Sequence, residues 1–188
     1  MSIRMLSAAV ACAAAFALSP AQAAVTVIGP GPAAICYQAA EMGGSPSDYM
    51  SYCDEALAGI LSNGDRAATL INRGVLRLSV NDFNAAQADF QSGLAINGSL
   101  GEGYIDLGAV QIAHRQYADA IVNINKGLKL GTKKPHLAYY DRAMASEALG
   151  NLQAAYDDYR QALQLEPDFT KASDELKRFK IVDKQDGA

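Results

Sequence analysis

Few residues in this chain have the type and spacing that catalysis requires. The 188 residues include two histidines, His114 and His136, which lie 22 residues apart and outside any metal-binding spacing such as H-x-x-x-H. The sequence contains no glycine-rich phosphate loop, no G-x-S-x-G motif and no C-x-x-C redox motif. We expect both histidines to be solvated surface imidazoles. We predict that the protein is not an enzyme and holds no metal ion or cofactor.

Clusters of charged residues also lack the geometry of a reactive site. Asp157 and Asp158 are adjacent in a predicted helix, so their side chains point in different directions, and we expect them on a solvated face. Four lysines lie late in another predicted helix and in the turn after it, where cations favour the helix dipole. A docking patch for an acidic partner is the alternative for these lysines. They are Lys126, Lys129, Lys133 and Lys134.

The composition is typical of a small globular protein. Half of the residues are hydrophobic, 19% are charged, and the net charge is −4 at pH 7. Nucleic acids and anionic membranes both bind proteins through a concentrated basic face. The mild acidity therefore predicts that neither a nucleic acid nor an anionic membrane is the main partner. The length predicts one domain, and we expect no membrane span in the mature protein.

The first 23 residues have the pattern of a secretory signal peptide. One positive charge at Arg4 precedes an apolar stretch over residues 5–18, and an Ala-Gln-Ala cleavage site ends at Ala23. The apolar stretch is shorter than the roughly 20 residues that span a bilayer. We therefore expect cleavage after Ala23 and a mature protein in the periplasm of a bacterium. The alternatives are an uncleaved N-terminal anchor, a lipoprotein cut before Cys12, and secretion from the cell.

Export determines how the cysteines are interpreted. Loss of the signal removes Cys12 and leaves Cys36 and Cys53 in an oxidising compartment. Each lies in a predicted helix, over residues 33–42 and 49–61, and a Gly-Gly-Ser-Pro turn separates the two helices. We expect a disulfide that joins them into an antiparallel hairpin and closes a loop of about 18 residues. Two buried free thiols are the alternative.

An internal repeat of 34 to 35 residues is the strongest feature of the chain. Small and large apolar residues recur in register in three segments, at helical spacings of three and four. Glycine and alanine are expected where neighbouring helices approach closely. The N-cap positions of the second helices hold Asp82, Gln116 and Asn151, and Asp and Asn are good caps. The residues that share a position are Leu70, Tyr104 and Tyr139; Gly74, Gly108 and Ala143; Phe83, Tyr117 and Leu152; Ala86, Ala120 and Ala155; Phe90, Ile124 and Tyr159; and Leu94, Leu128 and Leu163.

This period and pattern resemble the tetratricopeptide repeat family of helix-turn-helix solenoids, over about residues 67–168. The resemblance implies an all-α fold, a right-handed α-solenoid whose first helices line a concave groove for a peptide or a helix of a partner. The units depart from the family pattern in two ways. The large residue four places before the small one is never Trp, and only the third unit keeps its terminal proline, Pro167.

The resemblance also predicts which residues face the groove. The sixth position of each repeat is polar, with apolar neighbours, so the stripe would bind an extended backbone or Lys and Arg side chains while apolar spots grip alternate residues. The predicted groove residues are Ile71, Asn72, Val75, Ile105, Asp106, Ala109, Tyr140, Asp141 and Met144.

Two further expectations concern this polar stripe. Some family members bind C-terminal carboxylates through a basic clamp, which we do not expect here, because apolar and acidic residues stand at its positions. Those residues are Ile71, Val75, Glu102 and Asp106. The alternative to a binding stripe is that its members are ordinary solvated helix residues. Asn72 would then pair with Arg73 or Arg77, and Asp141 with Arg142.

These features predict a noncatalytic adaptor, scaffold or assembly factor that binds a protein or peptide in its groove. One alternative is an obligate accessory subunit of an envelope complex that packs through its convex face, and another is a hydrolase or redox enzyme with a scattered active site. A repeat array needs caps, because an apolar end face cannot stay exposed. The predicted divisions are a signal peptide (1–23), a flexible leader (24–32), a disulfide-stapled hairpin cap (33–66), three repeats (67–100, 101–134 and 136–168), a C-terminal capping helix (169–182) and a tail (183–188).

Overall fold

The computed structural model describes residues 30–42 and 46–179. The predicted signal peptide, most of the leader, the glycines of the first turn and the tail lie outside the described residues. Within the described ranges every regular element is an α-helix. The helices are α1 (Pro32–Met42), α2 (Pro46–Ala58), α3 (Asn63–Ser79), α4 (Phe83–Ile96), α5 (Gly101–Ala113), α6 (Tyr117–Leu130), α7 (Pro135–Ala148), α8 (Leu152–Leu165) and α9 (Thr170–Leu176).

Consecutive helices pack in hairpins that stack into a solenoid. The three predicted repeats are α3 with α4, α5 with α6, and α7 with α8, and these pairs make the most extensive contacts among the described helices. Each second helix also packs on the next first helix, and neighbouring first helices touch one another. The all-α solenoid predicted from the sequence is therefore confirmed. No helix within the described ranges is both long enough and apolar enough to cross a membrane.

Small residues allow the two helices of each repeat to approach closely, as predicted. A Cβ atom added at Gly74 would lie 2.5 Å from the ring of Phe90, and one at Gly108 would lie 2.6 Å from Cγ1 of Ile124. Ala143, at the same position in the third repeat, is completely buried. Side chains larger than these would push the helices apart, because interiors are close-packed.

The turn inside each repeat has the same backbone geometry three times. Two residues after the end of each first helix the backbone takes a positive φ, at Asn81 (62°), Arg115 (59°) and Gly150 (80°). The next residue then donates its N–H to a carbonyl five residues back, as in Asp82 to Arg77 at 2.9 Å. This is the Schellman arrangement, which satisfies the last carbonyls of a helix and reverses the chain.

The side chains at the N-cap positions of the second helices behave differently from one another. Asp82 accepts a hydrogen bond from the backbone N–H of Ala85 at 3.3 Å. Gln116 and Asn151 make no side-chain cap hydrogen bond. The prediction is confirmed for Asp82 and wrong for Asn151, whose helix start is set by the backbone turn at Gly150 instead.

The N-terminal hairpin covers one end of the array. Sγ of Cys36 and Sγ of Cys53 are 2.08 Å apart, so the disulfide joins α1 to α2. Both cysteines are fully buried in a small cluster with Ala39 and with Leu76 of α3. Both helices of the hairpin contact α3. Oxidation of this pair in the native compartment stays a prediction.

Aromatic residues attach the C-terminal cap to the third repeat. Phe169 packs edge-on against Tyr140 with ring centroids 5.2 Å apart, and Phe179 lies 6.0 Å from Tyr159. Helix α9 ends at Leu176 and is shorter than predicted, because the chain turns there and carries Phe179 back onto α8.

An ion pair that the sequence analysis missed joins the helices around the first repeat. Arg73 in α3 donates to both carboxylate oxygens of Asp89 in α4, at 2.9 and 2.7 Å. The same guanidinium donates to Asp54 in α2 at 2.6 Å. Asp89 is buried, and Arg77 donates to it as well at 2.7 Å. Arg73 therefore links three consecutive helices by charge-assisted hydrogen bonds.

The third repeat contains the same bidentate ion pair. Arg142 in α7 donates to both oxygens of Asp158 in α8, at 2.7 Å each, and also to Asn125 in α6. Asp158 is buried, so the expectation of a solvated face is wrong for this residue. It holds for Asp157, which is exposed and accepts a hydrogen bond from Gln153. The 3.6-residue period of a helix explains this difference between adjacent residues.

The second repeat replaces the ion pair with neutral groups. Leu107 stands where the other repeats have arginine and is buried. Asn123 stands where they have aspartate, and its amide donates to Gln111 at 2.8 Å. The position therefore holds a paired charge in the first and third repeats and uncharged groups in the second.

We expect Asp158→Ala to lower the free energy of unfolding by about 3 kcal/mol, because it leaves the Arg142 guanidinium partly buried without its carboxylate. Asp157→Ala, one residue away on the exposed side, is the matched control and should change stability by less than about 0.5 kcal/mol. Urea denaturation followed by circular dichroism measures both. Equal losses in the two variants would contradict a specific role for the buried pair.

Removal of the disulfide tests the N-terminal cap. We expect the double variant Cys36→Ala and Cys53→Ala to lose about 3 kcal/mol, since the bond closes a loop of about 18 residues in the unfolded chain. Reducing agent should destabilise the wild type to the level of the variant and leave the variant unchanged. A wild type that does not respond to reductant, with two free thiols by mass spectrometry, would refute the staple.

Candidate functional site

The first helices of the repeats and helix α1 surround a cavity of about 430 Å³. This volume lies in the range of small-molecule and side-chain binding sites in proteins, roughly 300–1,000 Å³. Most of its surface is apolar. The apolar lining residues are Ala40, Ala68, Ile71, Val75, Leu100, Ile105 and Leu137.

The structure brings six of the nine predicted groove residues to this cavity. They are Ile71, Asn72, Val75, Ile105, Asp106 and Asp141. The other three lie elsewhere. Tyr140 packs in the C-terminal aromatic cluster, 5.6 Å from Tyr159, because the capping helix covers it. Ala109 and Met144 lie one turn further along their helices and do not line the cavity.

Helix α1 forms a wall of the cavity that the sequence did not predict. Its Tyr37 hydroxyl lies 3.4 Å from Nζ of Lys133, and its Glu41 carboxylate lies 3.5 Å from Nζ of Lys134. Glu102 in α5 accepts the backbone N–H of Lys133 at 3.0 Å. Through these contacts α1 reaches across to the loop between α6 and α7. Two of the four clustered lysines are therefore engaged at this rim.

Two carboxylates at the cavity have no partner among the described residues. Asp106 and Asp141 make neither a hydrogen bond nor an ion pair there. Desolvation raises the pKa of Asp106 to about 7, with further contributions from Asp141 and Glu102, while Lys134 opposes the shift. Desolvation likewise raises the pKa of Asp141 to about 7, against the attraction of Lys171. Both groups therefore change charge near neutral pH.

The alternative in which the stripe pairs with neighbouring arginines is wrong. Arg73 and Arg77 bind Asp89, not Asn72. Arg142 binds Asp158, not Asp141. These arginines point into the repeats, where each binds a carboxylate of the second helix. The stripe therefore remains free to meet a ligand.

The histidines lie outside the cavity and are not the solvated groups that we expected. Both are half-buried against phenylalanine rings. The His114 ring lies 6.0 Å from Phe83, and the His136 ring lies 5.2 Å from Phe169, both edge-on. The turns between helices bring these rings together. Among the residues that the structure describes, no group of three or more His, Cys, Asp or Glu side chains could hold a metal ion.

This geometry defines a class of protein, an α-solenoid with a ligand-sized cavity on the face of its first helices. The sequence model of the tetratricopeptide repeat family matches residues 136–169, which include all of the third repeat. No curated protein sequence matches the chain significantly. Residues 136–169 therefore match a tetratricopeptide repeat, and the fold of the described chain resembles that of solved tetratricopeptide repeat domains.

Three such neighbours are representative. The Arabidopsis OM64 TPR domain is 25% identical, with a TM-score of 0.59 over 62% of this chain and 96% of that one. The second TPR domain of human RPAP3, in complex with the HSP70 peptide SGPTIEEVD, is 21% identical, with a TM-score of 0.57 over 62% and 97%. MamA from Desulfovibrio magneticus RS-1 is 19% identical, with a TM-score of 0.63 over 78% and 82%.

The raised pKa values predict how stability depends on pH. Each carboxylate has a folded-state pKa of about 7 and a reference value of 3.8, so between these values the folded state binds more protons than the unfolded state. The contribution of the pair to stability is therefore present below pH 3.8 and is lost as pH rises to about 7. Asp106→Asn with Asp141→Asn removes this loss.

We compare the free energy of unfolding of the double variant with that of the wild type at pH 5 and at pH 8. We expect the difference, variant minus wild type, to be larger at pH 8 than at pH 5 by more than about 1.4 kcal/mol, the equivalent of one pKa unit. Urea unfolding of both proteins at the two pH values measures the difference, and other titrating groups cancel in it. A difference that does not change between pH 5 and pH 8 would show that these carboxylates are well solvated.

Proposed function

We propose that this protein is a noncatalytic interaction module that binds an extended segment of a partner protein in the cavity between α1 and the first helices. The observation that carries the proposal is the cavity itself, an apolar surface interrupted by polar groups that the fold leaves unpaired. Such a surface grips alternate side chains and hydrogen-bonds polar groups of a ligand.

Structural relatives support a peptide as the ligand but not the same peptide. The RPAP3 domain was solved with an HSP70 peptide that ends in EEVD. In this chain the cavity is lined by Glu41, Glu102, Asp106 and Asp141, against Lys133 and Lys134. An acidic segment would be repelled by this lining. We therefore propose a different class of partner within the same mode of binding.

The periplasm of a bacterium is the proposed site of this activity. Support comes from the pattern of residues 1–23, which is that of a cleaved signal, and from the Cys36–Cys53 pair, which suits an oxidising compartment. Purification from cells that express the whole chain should give a mature protein whose first residue is Ala24. A chain that still begins at residue 1 would contradict export by cleavage.

Site-specific photocrosslinking in such cells tests the groove. A photoreactive phenylalanine analogue at Val75, which lines the cavity, should crosslink a discrete partner protein. The same analogue at Val122, an exposed residue of the second helix α6 that lies outside the cavity, is the matched control and should not. Substitution of Asn72, Asp106 and Asp141 by alanine should abolish the Val75 crosslink. A partner crosslinked from Val122 alone would favour an accessory subunit that packs through its second helices.

A further inference from the structure

We infer that the cavity takes a lysine or arginine side chain of the bound segment, and that Asp106 and Asp141 hold its cationic group. The inference rests on the proposed function and names the feature of the partner that the site selects. Asp106 lies on α5 and Asp141 on α7, at the same position of successive repeats, and both line the one cavity. We call them the carboxylate pair.

The contrast with the two buried carboxylates of the described chain, Asp89 and Asp158, points to an absent partner for the carboxylate pair. Asp89 and Asp158 are buried, and each is bound by an arginine in bidentate geometry. The carboxylate pair is half-buried in the cavity lining and has no such arginine within the described residues. Both carboxylates stand in the cavity lining, so a segment that fills the cavity removes their remaining water and must supply a partner for their charge. A guanidinium or ammonium group from outside the chain supplies what is missing.

The two lysines that line the cavity are engaged at its rim, and Lys171, which acts on Asp141 from α9, neither lines the cavity nor forms an ion pair with that carboxylate. Lys134 lies 3.5 Å from Glu41, and Nζ of Lys133 lies 3.4 Å from the Tyr37 hydroxyl. With four carboxylates and two lysines in its lining, the cavity keeps an excess of negative charge when all of these groups are ionised. That charge attracts a basic side chain and repels an acidic one.

The apolar part of the cavity suits the rest of a basic side chain. Lysine and arginine carry aliphatic stems that pack on apolar surfaces while the charged head reaches polar groups. Ile71, Ile105 and Leu137 line the same cavity as the carboxylate pair. A small metal cation would leave these surfaces uncovered, whereas a long basic side chain covers them. The site therefore fits a side chain in which an apolar stem precedes the charge.

The electrostatics add a dependence on pH. Desolvation raises the pKa of both carboxylates to about 7, and a bound cation favours their ionised form. Binding should therefore strengthen between pH 6 and pH 8. The other charged groups that act on the pair are Glu41 from α1, Glu102 from α5, Lys134 from the α6–α7 loop and Lys171 from α9.

The experiment uses the oxidised mature protein, residues 24–188, and fluorescent pools of nine-residue peptides with blocked ends. The central residue is arginine, lysine, norleucine or glutamate, and the flanking positions hold the same mixture of small and aliphatic residues in every pool. We expect the arginine and lysine pools to bind at least tenfold more tightly than the norleucine pool at pH 8, with a smaller ratio at pH 6. The glutamate pool should bind most weakly.

Variants assign the preference to the carboxylate pair. Asp106→Asn with Asp141→Asn should reduce the ratio of arginine to norleucine binding to about one while norleucine binding changes less than twofold. Asp119→Asn with Asp157→Asn changes the net charge equally at exposed positions and should keep the ratio. Asp141→Lys, which places a cation in the site itself, should also abolish the preference. Circular dichroism verifies that each variant is folded.

The outcomes separate this inference from the proposed function. Equal binding of the arginine and norleucine pools, or a preference that survives in the Asn double variant, overturns the cation site and leaves peptide binding intact. Binding of no pool overturns both. Free butylamine serves as a separate probe. If it binds while the peptide pools show no preference, the site is one for a small amine and not for a basic side chain of a protein segment.

Discussion

The direction in which the groove residues face follows from the close approach of the two helices in each repeat. At Gly74, Gly108 and Ala143 there is no room for a larger side chain, so this point of each first helix must face the second helix. A helix turns by about 100° per residue, so the residue two places earlier faces almost the opposite way. The position that carries Asn72, Asp106 and Asp141 is therefore directed toward the cavity by the packing behind it.

Charge then makes this arrangement specific. A small residue alone would let the first helix rotate or slide, but the bidentate contacts of Arg73 with Asp89 and of Arg142 with Asp158 accept only one orientation. The same arginines reach back to the preceding helix, through Asp54 and Asn125, and so align each repeat on its neighbour. The second repeat makes no such ion pair, and its neighbours on both sides hold it in register.

The sequence predicted features that depend on local periodicity and missed those that depend on contacts between distant segments. The repeat, the small positions and the polar stripe all follow from one helical period, and the structure bears out the first two and places the stripe at the cavity. The burial of Asp158 follows from a partner 16 residues away, and the role of α1 as a wall follows from Glu41 reaching Lys134. Nothing in a single helical pattern specifies which face meets a distant loop. The signal that could have revealed the ion pairs is an arginine followed 16 residues later by an aspartate in both the first and the third repeat.

The polar stripe itself is not uniform, and that asymmetry gives the groove a direction. Its member in the first repeat is a neutral amide, Asn72, while the second and third repeats carry Asp106 and Asp141. The amide of Asn72 can both donate and accept hydrogen bonds with a peptide backbone, and it does so at any pH. An ionised carboxylate only accepts hydrogen bonds. Within the stripe, the ionisable groups therefore lie on α5 and α7 and not on α3. A basic residue that binds the carboxylate pair therefore lies beside α5 and α7, so the order of the repeats along the chain sets which part of the groove holds it.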